Sequence, residues 1–298
     1  LTGEAGRSAV HYQLFADAER EGSFVEPAID HAGDTPLGPG PDVRRMLVSI
    51  GPVAVFGSSN FPFAFSVLGG DTASAIAAGS PVVVKAHGSH PLTSKLSFEV
   101  LQRAAEAVGA PVAAQGSAEV PEGAGSADGF FVPPTLLETT AGALDETLAE
   151  ECFGPLVVVA RYSELEEVQE AFGRIPKSLT ATLHVEDDEG DLVASLAPTL
   201  EASAGRIVFN GFPTGVRVTW AQQHGGPWPS TNSQHTSVGV TAVRRFLRPL
   251  AWQNAPQAAL PVELRDADPG IPRRVDGALV LPAIGCFSLL VYSISYYH

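Results

Sequence analysis

The segment from Met46 to Val108 constrains the fold more than any other part of the 298-residue chain. Gly51-Pro-Val-Ala-Val-Phe-Gly57 is an apolar run with a glycine exit, the pattern of a buried strand. From about Pro62 to Ala78 the sequence reads as a helix ended by Gly79, because glycine takes the left-handed conformation at a helix C-terminus without steric cost. Pro81-Val-Val-Val-Lys85 is a second short, β-branched buried strand. Thr93 to Val108 is a second helix, with Leu96, Val100, Ala104 and Val108 spaced by four on one face, and Gly109 and Pro111 end it. Strand, helix, strand, helix at this spacing is a βαβα unit. It implies parallel pairing and the α/β class.

The flanking sequence is less regular. Residues 1–45 read as loop-rich, with Pro36, Pro39 and Pro41 close together and at most one helix, near Val10 to Glu21. Ala113 to Gly129 has no strong period and reads as a loop or junction. A second α/β stretch follows, with a buried strand at Pro155 to Ala160. Ser163-Glu-Leu-Glu166 has capping-box spacing and opens a helix to about Phe172. Leu179, Ala181, Leu183 and Val185 alternate as a strand; a helix near Gly190 to Ala202 and a strand at Arg206 to Asn210 follow. Gly211 to Gly239 is a long loop region, Thr241 to Leu247 a short helix, and Pro249 to Val280 mostly irregular. No internal repeat is visible.

Composition narrows the function classes. Lys and Arg number 18 against 33 Asp and Glu, a formal net charge of −15, so nonspecific binding to nucleic acid is not expected. A phosphorylated small ligand in a local pocket remains compatible with that charge. Two cysteines, Cys152 and Cys286, cannot build a disulfide framework, and reduced thiols in the cytoplasm are expected. Leu1 to Arg20 lacks the apolar core of a signal peptide. Leu281 to Tyr297 is apolar but carries Pro282 and Gly285 and is short for a bilayer span, so no membrane is expected. A chain that opens on Leu1 and holds one methionine, Met46, is expected to lack its natural start.

Candidate chemistry clusters at strand ends. In an open parallel sheet ligands sit beyond the carboxyl ends of the strands. Asn60, in the turn Gly57-Ser58-Ser59-Asn60-Phe61-Pro62, can donate to a developing oxyanion or simply cap the following helix. Lys85 closes the second strand, where a lysine bonds ribose hydroxyls or phosphate, or stands solvated; His87 beside it can help hold a phosphate. His87 and His90 have no third ligand nearby, so no metal is expected. Cys152 follows two carboxylates rather than a cation, and reads as a small buried apolar residue instead of a nucleophile. His224-Gly225-Gly226 reaches a substrate or forms a turn with a satisfied histidine. Neither a G-x-G-x-x-G nor a P-loop is present.

Taken in order, Gly51-Pro-Val-Ala-Val-Phe-Gly-Ser-Ser-Asn60-Phe-Pro62, Pro81-Val-Val-Val-Lys-Ala-His87 and Glu150-Glu-Cys-Phe-Gly-Pro155 resemble the aldehyde dehydrogenase superfamily. Phe63-Ala-Phe-Ser-Val-Leu-Gly-Gly-Asp71 and Phe209-Asn-Gly-Phe-Pro-Thr-Gly215 to His224-Gly-Gly-Pro227 resemble its branch of α-ketoglutaric semialdehyde and NADP-dependent fatty aldehyde dehydrogenases. The likeness covers about Met46 to Val280. An unrelated α/β phosphate-ligand protein would explain the βαβ pattern but not these motifs in this order.

The resemblance implies NAD(P)+-dependent oxidation of an aldehyde to a carboxylic acid, the branch likeness pointing to a semialdehyde, with family members commonly forming homo-oligomers. It makes Asn60 the oxyanion-hole residue and Lys85 the contact to the adenosine ribose. Ser58 and His87 fall on the cofactor side, and Glu151 and Phe153 match the residues that hold the nicotinamide ribose and ring. His87-Gly88 lies where NAD-preferring relatives carry an acidic residue, so NADP is acceptable as well as NAD. The implied fold is an incomplete aldehyde-dehydrogenase-like fold with parallel βαβ units in two parts. Its expected divisions are a partial cofactor-binding domain at 1–111, a junction at 112–127, a partial catalytic domain at 128–245, a C-terminal return and oligomerisation segment at 246–280, and an atypical apolar tail at 281–298.

The departure from the family is at the junction. Relatives follow the helix end at Gly109-Ala-Pro111 with a long segment carrying the general-base glutamate and the nucleophilic cysteine. Here Pro111 passes directly to Val112-Ala-Ala-Gln-Gly116, which resembles sequence beyond the nucleophile. Aldehyde oxidation needs a thiolate to form a thiohemiacetal, from which hydride leaves, and a carboxylate to activate the water that releases the acid. The chain is therefore expected to be catalytically impaired, from a deleted or misassembled reading frame. The other expectation is a non-catalytic remnant that binds a nucleotide, or a partner such as an intact relative.

Overall fold

The computed structural model describes residues 2–108, 133–213 and 215–282; the junction and nearly all of the C-terminal tail lie outside the described residues. In chain order the elements are α1 (Thr2–Glu21), β1 (Ala28–Asp30), β2 (Gly33–Thr35), β3 (Gly38–Gly40), β4 (Val43–Ser49), β5 (Val53–Phe56), α2 (Gly70–Ala77), β6 (Val82–Lys85), α3 (Pro91–Ala107) and β7 (Thr135–Thr140). They continue with α4 (Glu146–Ala149), β8 (Leu156–Arg161), α5 (Leu165–Arg174), β9 (Ser178–Leu183), α6 (Gly190–Ser203), β10 (Ala204–Phe209), β11 (Leu247–Gln253), β12 (Arg273–Val275) and β13 (Ala278–Val280). The described residues within Leu1–Phe15 and Gly51–Phe246 form one unit; those from Ala16–Ile50 and from Leu247 onward form another.

The first unit holds the α/β part. Its strands form three separate parallel pairs, β5 with β6, β7 with β8, and β9 with β10. In the β5–β6 pair Val53 lies opposite Val82 and Phe56 opposite Lys85. Val53 and Val55 pack with Ala75 of α2, Val82, Val84 and Phe246, so one face of the pair is a core. The other face is open, with Phe56 at 73% and Val83 at 71% exposure. The expectation of fully buried strands is thus corrected: an apolar run is covered only where a neighbouring layer supplies the cover. Strand β8 repeats the pattern, with Val158 packed near Ala141, Leu144 and Ala171 while Val157 and Val159 are exposed.

Helix α3 gives the same correction. Leu96, Val100 and Val108 are exposed, and the residues it buries are Ser94 and Ser97. The helix expected from Pro62 is shorter: residues 62–69 form turns and α2 starts at Gly70. Gly79 does end it, with φ +74 and its N–H donating to the carbonyl of Ile76. The capping box at Ser163 is not formed; Ser163 N–H donates to Glu167, not Glu166, and the N-cap is Glu164.

The helix expected near Val10 to Glu21 is α1, longer than read, and the loop-rich reading of the residues that follow it and the mostly irregular reading of 249–280 miss a five-stranded sheet in the second unit, in the order β11-β4-β1-β12-β13. Ile29, Met46, Leu260 and Leu264 form its core, with Trp252 and Val275 packed against it. Strand β4 turns Arg44 and Met46 inward together. A charged residue on the buried face breaks the apolar alternation that reveals a strand, and most partners are three residues long.

Candidate functional site

The carboxyl ends of β5 and β6 meet at Phe56 and Lys85. Beyond them the chain is tied by backbone bonds: Gly57 N–H donates to the Lys85 carbonyl at 3.0 Å, and Ser58 N–H to the Phe65 carbonyl at 2.7 Å. A Cβ on Gly57 would lie 2.8 Å from Ser66 Oγ and 3.3 Å from the Lys85 carbonyl, so the close approach of these strand exits needs glycine.

Asn60 is exposed in this loop, and its Oδ1 accepts the Ser58 hydroxyl proton. That bond occupies the acceptor end of the amide and leaves its NH2 donors without a hydrogen-bond partner among the described residues. The helix-capping alternative for Asn60 fails, because α2 is capped at Gly69. Lys85 is exposed and makes no ion pair among the described residues. His87 stacks on His90 with ring centroids 5.6 Å apart, and its Nδ1 accepts from Ser89 N–H at 3.1 Å. The structure thus brings Ser58, Asn60, Lys85 and His87 to one end of one strand pair.

Glu151 and Phe153 are not joined to them. Both lie in the segment before β8, Phe153 is 96% exposed, and no hydrogen bond or ring contact links either to Ser58, Lys85 or His87. Cys152 is exposed as well, which corrects its reading as a buried residue: no described element covers this segment. Among the described residues no group of three His, Cys, Asp or Glu is placed to hold a metal ion. No helix among them is long and apolar enough to cross a membrane.

Two further residues hold the loop. With Nε2 protonated, His90 donates to the Ser58 carbonyl at 2.7 Å. Glu4 of α1 accepts from Phe63 N–H at 2.8 Å and Ala64 N–H at 3.0 Å. The sequence offers His90 only as a metal ligand beside His87, and no local signal points to Glu4, which is 59 residues from its partner. Space explains Gly226 of His224-Gly225-Gly226, where a Cβ would lie 2.4 Å from the Ser178 carbonyl, and Gly205 beside it, where a Cβ would lie 1.9 Å from the Gly225 carbonyl. The His224 carbonyl accepts from Ser237, while its ring Nδ1 is buried without a partner, against the expectation of a satisfied turn histidine.

The aldehyde dehydrogenase family matches residues 103–248. Alpha-ketoglutaric semialdehyde dehydrogenase 2 of Azospirillum brasilense is 32% identical over 424 residues, covering 93% of this chain and 81% of the relative. Among solved structures, aldehyde dehydrogenase 21 from Physcomitrella patens superimposes with a TM-score of 0.58 at 16% identity, covering 85% of this chain and 79% of that one. 3,6-Anhydro-L-galactose dehydrogenase in complex with NAP gives 0.56 at 14%, covering 84% and 79%. The chain belongs to the aldehyde dehydrogenase family, whose members are NAD(P)+-using oxidoreductases acting on aldehydes. The parallel βαβ units in two parts are this family's fold, as the sequence motifs implied.

Proposed function

We propose that this chain descends from a dehydrogenase for a small acidic semialdehyde, and that it keeps the oxyanion loop and the adenosine side of an NADP or NAD site but lacks the catalytic thiolate. The observation that carries this reading is the loop at residues 57–65, which holds Asn60 with its amide donors without a partner among the described residues, next to the strand end at Lys85, which makes no ion pair among them. The relative's name supports the semialdehyde. Lys85 and His87, with Ser58, would hold the nucleotide, and Glu151 and Phe153 its nicotinamide ribose and ring. The site fits NADP: an exposed lysine stands at the strand end, Gly88 has open space around it, and residues 86–90 carry no carboxylate to repel a 2′-phosphate. When bound, the nucleotide supplies a hydride acceptor. Asn60 would donate to the carbonyl oxygen of the aldehyde and favour negative charge there, while His90 holds the loop backbone.

Two findings support the loss of the thiolate. The match to the Azospirillum relative extends over 424 positions, more than this chain's 298 residues, so it includes positions the chain does not fill. The parallel pairs also leave Phe56, Val83, Val157 and Val159 uncovered, as strands do when neighbouring layers are gone. The exposed apolar faces support a second reading, association with another copy or with an intact relative.

An NADP-linked oxidation assay with a five-carbon semialdehyde tests the reading, with no turnover expected and saturable NADP binding by titration. Turnover abolished by a thiol reagent would show a working nucleophile and overturn the impairment. Absence of saturable NADP and NAD binding would remove the cofactor half.

A further inference from the structure

Helix α3 departs from local preference twice at its start. His90 stands at its N-cap, before Pro91, and its side chain caps nothing, although Ser, Thr, Asn or Asp there would satisfy a backbone N–H. The face that α3 buries carries Ser94 and Ser97, while Leu92, Leu96 and Val100 are exposed. His90 and Ser94, four residues apart, lie on the same side of the helix. Both departures serve one contact.

That contact is with the Asn60 loop. His90 Nε2 lies 2.7 Å from the Ser58 carbonyl, which can only accept, so Nε2 carries a proton. In the neutral ring Nδ1 is then an acceptor, and it faces the Ser94 hydroxyl at 3.5 Å. Ser94 Oγ in turn lies 3.5 Å from Ser66 Oγ, and both serines are buried. One direction satisfies every group: Ser66 donates to Ser94, Ser94 to His90, and His90 to Ser58. The ring also stacks on His87, and His90 N–H donates to the His87 carbonyl at 3.2 Å. Both backbone groups of Ser58 are thus taken, its N–H by the Phe65 carbonyl and its carbonyl by His90. Its hydroxyl donates to Asn60 Oδ1.

We propose that His90 is the positioning residue of the Asn60 amide. Its Nε2–H fixes the Ser58 carbonyl, the Ser58 hydroxyl fixes Asn60 Oδ1, and the buried hydroxyls of Ser94 and Ser66 hold the imidazole in the orientation that begins this chain. It rests on the proposed function in that the Asn60 NH2 so oriented is the group given the oxyanion role. A ring packed for shape alone is replaceable by another ring. A ring that positions through its donor is replaceable only by a side chain that donates from the same place.

Amide hydrogen exchange of the full chain, read separately over residues 57–65 and 53–56, tests the proposal with two variants. His90→Phe keeps a ring and loses the donor; His90→Gln places an amide N–H near the position of Nε2. His90→Phe should speed exchange over 57–65 by about tenfold, the effect of one lost hydrogen bond on a local opening equilibrium, with 53–56 unchanged. His90→Gln should return the loop to within about threefold of wild type. Nitrogen-15 spectra of the wild-type histidines should show His90 protonated at Nε2 and bare at Nδ1. The two variants exchanging alike, or a His90 ring protonated at Nδ1 alone, would each overturn the proposal. Circular dichroism establishes that the variants fold. Should either not fold, Ser94→Ala decides: faster exchange confined to 57–65 supports the relay, and unchanged exchange overturns it. An NADP titration on the same samples separates this from the proposed function. NADP unbound by wild type with the exchange pattern as expected breaks the cofactor assignment and leaves the positioning; NADP bound with that pattern absent breaks the positioning alone.

Discussion

Arg44 in the second unit is buried and Arg7 in the first is half-buried, and their fates differ. Arg44 donates to both oxygens of Asp42, to the Leu264 carbonyl at 2.6 Å and to Asp266 at 2.7 Å, and the two carboxylates, Asp42 first, push its affinity for its proton further up. Arg7 has a ring beneath it and, among the described residues, an edge without a partner. The same contrast runs through the sheets. In the second unit five strands share one core, whereas in the first unit three parallel pairs leave apolar faces open. Among the described residues the second unit supplies both the apolar cover and the counter-charges its side chains need, and the first unit leaves some of each unsupplied.

The sharpest break in this comparison would come from Arg44→Ala. It strands the Asp42 carboxylate and the Leu264 carbonyl, and should cost the second unit about 3 kcal/mol. Urea unfolding followed through Trp252, with Trp220 and Trp228 replaced by Phe, reads that unit; a loss under about 1 kcal/mol would show the network to be ornamental. Leu264→Ala, at a fully buried site, should cost about 2.5 kcal/mol by the same readout.

On the first unit, Leu96→Glu with Val100→Glu should change stability by less than about 0.5 kcal/mol and raise solubility, because both side chains already face solvent. A large loss in thermal unfolding would mean that this face of α3 is covered in solution.

The smallest effect concerns His31. Its Nδ1 is 2.8 Å from Asp276 and its Nε2 3.5 Å from Asp266; the Asp276 hydrogen bond holds its pKa above the usual 6.5. The protonated pair therefore contributes fully below pH 6.5 and is lost as pH rises through the raised value. The carboxylates, held below 3.8 chiefly by their hydrogen bonds, lose their share only in stronger acid. All three groups are exposed, so the effect is modest. Unfolding midpoints at pH 6 and pH 8 should differ less in His31→Gln than in wild type, and an equal difference would clear His31 of any role.

Local signals in the chain were sufficient for β5, β6, β9, α6 and the stop at Gly79, since each depends on neighbours within a few residues: β-branched runs, alternation, a glycine free to take positive φ. The motifs carried the family and its fold for the same reason, and they put Asn60 and Lys85 at strand ends. The short strands β1 and β12 pair across more than 240 residues, Ala28 opposite Arg274, and β13 joins the sheet only by folding back on β12, so their existence depends on that pairing rather than on their own composition. Whether Leu96 or Val157 is covered, whether Cys152 is buried, and which partner Arg7 or Arg44 finds are likewise questions about distant chain. Periodicity states which side chains seek cover or a counter-charge; only the tertiary structure decides whether anything is there to supply it.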